Sequence, residues 1–145
     1  MKRLAAAVLA CAALLLPAAA HAQDAWDQQV RTILQGTARI FQGQGFTQTH
    51  QIMTGSLNQG ADETVEVTLQ AGKEYHIMGA CDTDCSDMDL TLFDASGTEV
   101  DSDMEEDSAP IVSVRVQRTG TYRVKVDMAA CSAGPCRYGL SVFGK

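Results

Sequence analysis

DMDLTLFDASGTEV, residues 87–100, followed downstream by GTYRVKV, residues 120–126, is the part of the chain that decides the fold. The first segment reads as a short buried strand, a Gly-closed turn and a second strand. In the second segment Tyr122, Val124 and Val126 alternate with Arg123 and Lys125, the period-two pattern of a strand with one buried and one wet face. The same alternation recurs at Val65, Val67 and Leu69, and again at Tyr138, Leu140 and Val142. Ala71-Gly72, Ala95-Ser96-Gly97 and Thr119-Gly120 supply turns, where glycine tolerates positive φ. Strands are predicted near 47–56, 63–71, 74–80, 88–94, 98–102, 111–117, 121–128 and 137–143. Many short strands at this spacing mean an all-β, antiparallel sandwich.

Upstream the character of the chain differs. Lys2 and Arg3, an apolar run over Leu4–Leu16 and Ala20-His21-Ala22 form the charged start, core and small-x-small cleavage site of a signal peptide, assigned to residues 1–22. The run is too short and Ala-rich for a membrane span. Residues 23–45 are assigned to an N-terminal helix and residues 46–145 to the sandwich. Asp24 is the expected N-cap; Trp26, Val30, Ile33, Leu34, Ala38 and Phe41 recur on one helical face, and Gly43 and Gly45 end it. The helix is expected to cover an edge or open end of the sandwich. Trp26 is its candidate partner-binding residue, should that face be exposed.

The chain carries a net charge of −7, and loss of Lys2 and Arg3 with the leader takes it to about −9 over about 123 residues, one domain's worth. Such acidity argues against nucleic acid or anionic membrane as partner, because both need basic footprints. Export to the periplasm or beyond places Cys81, Cys85, Cys131 and Cys136 in an oxidising compartment, so disulfides are expected. Three connectivities are open; the C-x3-C and C-x4-C spacings favour two local clips, each worth ~2 kcal/mol in so small a loop.

No basic residue lies between Lys73 and Arg115, an interval crowded with carboxylates. Calcium, a hard cation taking several oxygens from loops, is the natural exported counter-ion. Asp82, Asp84, Asp87 and Asp89, with Asp101, Asp103 or Glu105, are its candidate ligands. The alternative is a solvated, self-repelling face. If strands alternate up and down, loops 81–87, 103–110 and 129–136 share one pole, with the tight turns near 95–97 and 118–120 at the other. Glycoside hydrolysis by paired carboxylates lacks its aromatic cleft, since Trp26 is the only tryptophan. His50 and His76, both on predicted strands, are a candidate transition-metal pair lacking an evident third ligand. No G-x-S-x-G elbow occurs. The chain is therefore not expected to be an enzyme.

Taken in order, GSLNQG (55–60), LQAGKEYHI (69–77), DMDLTLFDASGTEV (87–100), GTYRVKV (120–126) and YGLSVF (138–143) resemble the bacterial pre-peptidase C-terminal domain over roughly residues 47–143. Asp87 and Asp89 match the acids of its D-x-D-L element, Asp94 and Gly97 its turn, and Gly120 and Tyr122 its G-T-Y element. The resemblance implies a jelly-roll-like sandwich and a non-catalytic accessory role, with calcium, protein or polysaccharide as ligands of some members. The cysteine pairs are not part of that pattern, and no peptidase domain precedes the module. The expected function is an exported binding module contacting an unknown protein or polysaccharide, without membrane insertion once the leader is cleaved. Two alternatives stand beside it: a ligand-free structural or stress-tolerance envelope protein, and a small hydrolase using loop carboxylates.

Overall fold

A computed structural model describes residues 19–145, with side chains from residue 25 onward. The expected leader thus lies almost wholly outside the described residues. One helix, α1 (Ala19–Gly43), precedes nine strands: β1 (Thr47–Gln48), β2 (Met53–Leu57), β3 (Asp62–Leu69), β4 (Glu74–Cys81), β5 (Cys85–Phe93), β6 (Glu99–Asp103), β7 (Ile111–Arg115), β8 (Gly120–Cys131) and β9 (Cys136–Gly144). The expected strand at 47–56 is two strands on one edge of β9: Thr47 and Gln48 pair with Gly144 and Phe143, and Met53–Leu57 with Leu140–Cys136. Between them the Gln48 side-chain amide donates to the His50 carbonyl at 2.8 Å, and Ile52 turns to pack under the helix.

Antiparallel pairs nest inside one another: β2 with β9, β3 with β8, β4 with β7, and β5 with β6. This long double ribbon then rolls up so that β4 meets β9 and β5 meets β8. The result is a jelly roll of two sheets, β1/β2-β9-β4-β7 and β3-β8-β5-β6. Inward residues follow the alternation read from the sequence. Val67, Leu69, Met88, Leu90, Leu92, Tyr122, Val124, Val126, Tyr138, Leu140 and Val142 all join the core between the sheets.

A second core lies under the helix. Val30, Leu34, Ala38 and Phe41 recur at helical spacing and pack with Phe46, Met78, Ala80 and Phe143. The helix therefore covers the outer face of the first sheet, over β9 and β4, rather than an edge or open end. That sheet face is apolar and needs a cover. Gly139 on β9 permits the approach: a Cβ there would stand 2.8 Å from Val30 Cγ1 and 2.9 Å from Leu34 Cδ1. The helix begins before Asp24, which lies within it rather than capping it; Ala19, Ala20 and Ala22, with the highest helix propensity, carry it through. At the other end Phe46 N donates to Phe41 O and Gly45 N to Gln42 O, both at 3.0 Å, with Gly45 at φ 87°. This is a Schellman stop, sealed by edge-to-face contact of Phe41 and Phe46.

The helix seat is testable. Gly139→Ala forces a methyl into Val30 and Leu34 and should cost about 1–3 kcal/mol in urea unfolding. Gly36→Ala, in the helix with open space around it, should gain about 0.5–1 kcal/mol. Opposite signs for these two small changes separate packing from propensity.

Candidate functional site

Strand parity gathers the loops as expected. Loops 58–61, 82–84, 104–110 and 132–135 meet at one pole, where Cys81, Cys85, Cys131 and Cys136 also lie. Disulfides join Cys81 to Cys85 and Cys131 to Cys136, the two local clips. Each ties the end of a strand in one sheet to the start of a strand in the other. Cys85 and Cys131 are register partners on β5 and β8, so the two staples stand side by side. At the opposite pole Gly72 and Gly97 take positive φ in their turns, whereas Gly120 simply opens β8 in an ordinary backbone conformation.

The expected calcium shell is not assembled: among the described residues no three His, Cys, Asp or Glu side chains are grouped to hold a metal ion. Three of the seven candidate acids already hold backbone N–H groups with their carboxylates. Asp82 is buried; its Oδ2 accepts from Arg137 N at 2.7 Å and its Oδ1 from Asp84 N at 3.2 Å. Asp84 acts through its backbone, its carbonyl accepting from Ser132 N and Oγ. Asp101 and Asp103 pair with Leu92 and Leu90, which turns them inward at the edge of the sandwich. There Asp101 Oδ2 accepts from Ser113 N at 2.7 Å and Asp103 Oδ2 from Ile111 N at 2.8 Å, satisfying the free backbone edge of β7. Asp103 Oδ1 also accepts from Glu105 N. The acidic loop is no flexible cradle either, since Asp107, Ser108 and Pro110 carbonyls accept from Met88, Cys81 and Gly79 of the two sheets.

Asp87 and Asp89 are different. They point outward from β5, opposite in direction to Asp101 and Asp103, so the two pairs of carboxylates do not converge on one another. Across the outer face Asp62, Asp127 and Asp89 occupy one register row on β3, β8 and β5. Lys125 Nζ lies 2.7 Å from Asp127 and 4.0 Å from Asp62, and reaches no other acid in an ion pair. Burial, reinforced by the charges of Asp87, Asp127 and Asp103, raises the Asp89 carboxyl above its ordinary value. Asp87 Oδ1 is shielded from solvent with no protein partner.

The histidines do not face one another. His50 bonds Thr49 Oγ1 at 2.8 Å and the Thr68 carbonyl at 3.2 Å. His76 meets Ser113 Oγ at 2.6 Å and lies against the rings of Phe41 and Phe46. Burial lowers its pKa, so it is neutral at neutral pH. This Ser–His contact sits beneath the helix end and no carboxylate orients the ring, so it packs the helix seat rather than forming a nucleophile and base. Trp26 is partly exposed, one turn ahead of buried Val30; Ile33 and Ile40, at 39% and 62% exposure, continue that flank. No helix among the described residues is long and apolar enough to cross a membrane.

Sequence reasoning missed the turn pole. There the β5–β6 turn, the end of β7 and the β7–β8 loop enclose a cleft of about 590 Å³ lined by Arg115 and Arg118. The only signal for it was negative: the long interval without bases crowds them at its downstream boundary. No family model matches the chain, and no curated protein matches it.

Two substitutions separate the classes of acid. Asp101→Ala leaves Ser113 N–H without its charged acceptor and should cost about 1.5–3 kcal/mol, with Asp101→Asn milder. Asp89→Asn should stabilise. Its raised pKa means that ionisation is harder in the folded state, so stability falls as pH rises above its ordinary value of 3.8. The gain from Asn should therefore be present at neutral pH and vanish below about pH 4 in pH-dependent thermal unfolding.

Proposed function

We propose that the chain is an exported, non-catalytic binding module whose acidic outer face docks a Lys- or Arg-rich segment of a protein partner. One observation carries this reading: the row of Asp62, Asp127 and Asp89, flanked by Asp87, holds more negative charge than Lys125 neutralises. Like charges opposite one another across strands are destabilising. Carboxylates crowded on an ordered sheet face repel one another, and a cationic partner relieves that repulsion. The resemblance to the pre-peptidase C-terminal domain supports an accessory role, and the two disulfides support export to an oxidising compartment.

A second reading, an envelope protein without a specific ligand, is favoured by a different observation. Asp82, Asp101, Asp103 and both disulfides all serve the fold itself. Titration calorimetry with an oligolysine peptide, and with oligoglutamate as control, decides between them. Saturable binding of oligolysine that weakens steeply with salt and drops about tenfold in Asp87→Asn/Asp89→Asn is expected. Binding indifferent to those substitutions, or none at low salt, favours the ligand-free reading. Calcium and magnesium at matched ionic strength should shift the unfolding midpoint equally, through screening alone.

A further inference from the structure

Basic side chains gather at the turn pole, interspersed with Glu74, Asp94 and Glu99. Arg115 ends β7, Arg118 lies in the following loop, and Arg123 on β8 reaches the β5–β6 turn, where a Cβ on Gly97 would stand 3.0 Å from its guanidinium. Arg115 and Arg118 line the 590 Å³ cleft with Thr119, Val100, Val114 and Tyr122, a volume within the range of about 300–1,000 Å³ usual for small-ligand sites. Asp94 is the one acid in the wall. Its Oδ1 already accepts from Ser96 N at 2.8 Å, Ser96 Oγ at 2.6 Å and Thr98 N at 3.0 Å, bonds that hold it below the usual carboxylate range. Arg115 shares one nitrogen with Glu74 at 3.3 Å on the open surface, its side chain 68% exposed. Arg118 makes no ion pair among the described residues.

We infer that this cleft binds a carboxylate-bearing sugar, a uronic-acid unit of an acidic saccharide. Guanidinium groups present the planar fork that matches a carboxylate. Arg118 offers that fork free, and Arg115 stands beside it with most of its donors open. Val100, Val114 and Tyr122 line the cleft and supply an apolar wall for a sugar ring. Thr119 Oγ1 accepts from Ala71 N at 2.9 Å, which leaves its hydroxyl proton to donate into the cleft, and the Gln117 amide adds both a donor and an acceptor. A neutral sugar would leave the Arg118 fork unanswered; a bare carboxylate would leave the wall and hydroxyl unused. The site is distinct from the acidic face, since none of Asp62, Asp87, Asp89 and Asp127 lines the cleft.

The test is calorimetric titration of the full chain with trigalacturonate, cellotriose and acetate at matched ionic strength. Saturable binding of trigalacturonate alone is expected, weakened about tenfold or more by Arg118→Ala and by Arg115→Ala. Arg118→Lys should not restore it, because an ammonium is a point charge without the fork. Both arginines are exposed, so the unfolding midpoint of each variant should stay near that of the parent. Asp87→Asn/Asp89→Asn should bind trigalacturonate at least as well as the parent, whatever becomes of oligolysine binding. The inference is overturned if cellotriose binds as well as trigalacturonate, if acetate does, if both alanine variants bind like the parent, or if trigalacturonate fails to saturate.

Discussion

Two stacked sheets are joined only where something crosses between them, and here carboxylates supply the crossing at both open edges. From β6, Asp101 and Asp103 reach over to the backbone of β7. From β3, Glu63 accepts the hydroxyl proton of Tyr138, a core residue of the facing sheet. Near the turn pole His50 contacts the Thr68 carbonyl across the same edge. Each bond to a charged acceptor contributes on the order of 1.5–3 kcal/mol, and those of Asp101 and Asp103 also deny a foreign strand the free backbone it would need. Space is set aside for one of them: a Cβ on Gly55 would lie 2.6 Å from the Tyr138 ring. Burial and Glu63 together hold the Tyr138 phenol protonated far above its usual range, so the bond persists at any physiological pH.

The two poles are secured differently. At the loop pole the adjacent disulfides pin both sheet-to-sheet connections, and the 104–110 loop is stitched by its backbone to β4 and β5. Little there is free to close around an ion. At the turn pole the connections rest on hydrogen bonds alone, among them Gly72 N to Val116 O, Val116 N to Lys73 O and Ala71 N to Thr119 Oγ1. No covalent link draws the β5–β6 turn toward the β7–β8 loop, and the space between them is the cleft. Reinforcement at one end and an opening at the other follow from where the cysteines stand in the strand order.

Alternation made the strands legible, because Val65–Leu69, Tyr122–Val126 and Tyr138–Val142 each bury one side of a two-sided element. The sharing of a pole by three loops was legible too, since it needs only strand parity. The backbone role of Asp101 and Asp103 is not legible in the sequence, for a physical reason. Whether an acid on an edge strand faces water or the neighbouring sheet depends on register, here Leu92 with Asp101 and Leu90 with Asp103, and no local pattern encodes it. The helix was legible as an element, but its seat depended on Gly139, more than ninety residues downstream. The cleft shares that difficulty, for Val100 and Arg118 become neighbours only after the double ribbon has rolled.

A net charge of −7 is an argument about the whole surface, and taken alone it speaks against an anionic ligand. Once folded, the charge is unevenly spread. Asp82, Asp84, Glu105, Glu106 and Asp107 stand at the loop pole with Arg137, whereas Lys73, Arg115, Arg118, Arg123 and Lys145 outnumber Glu74, Asp94 and Glu99 toward the turns. Screening confines an exposed charge to about 8–10 Å at physiological salt, well short of the length of a sandwich built from strands of eight to twelve residues. A ligand at either end therefore meets the local sign, not the sum. Acidity excludes a long polyanion laid along the whole molecule, but it places no bar on a single carboxylate entering between Arg115 and Arg118.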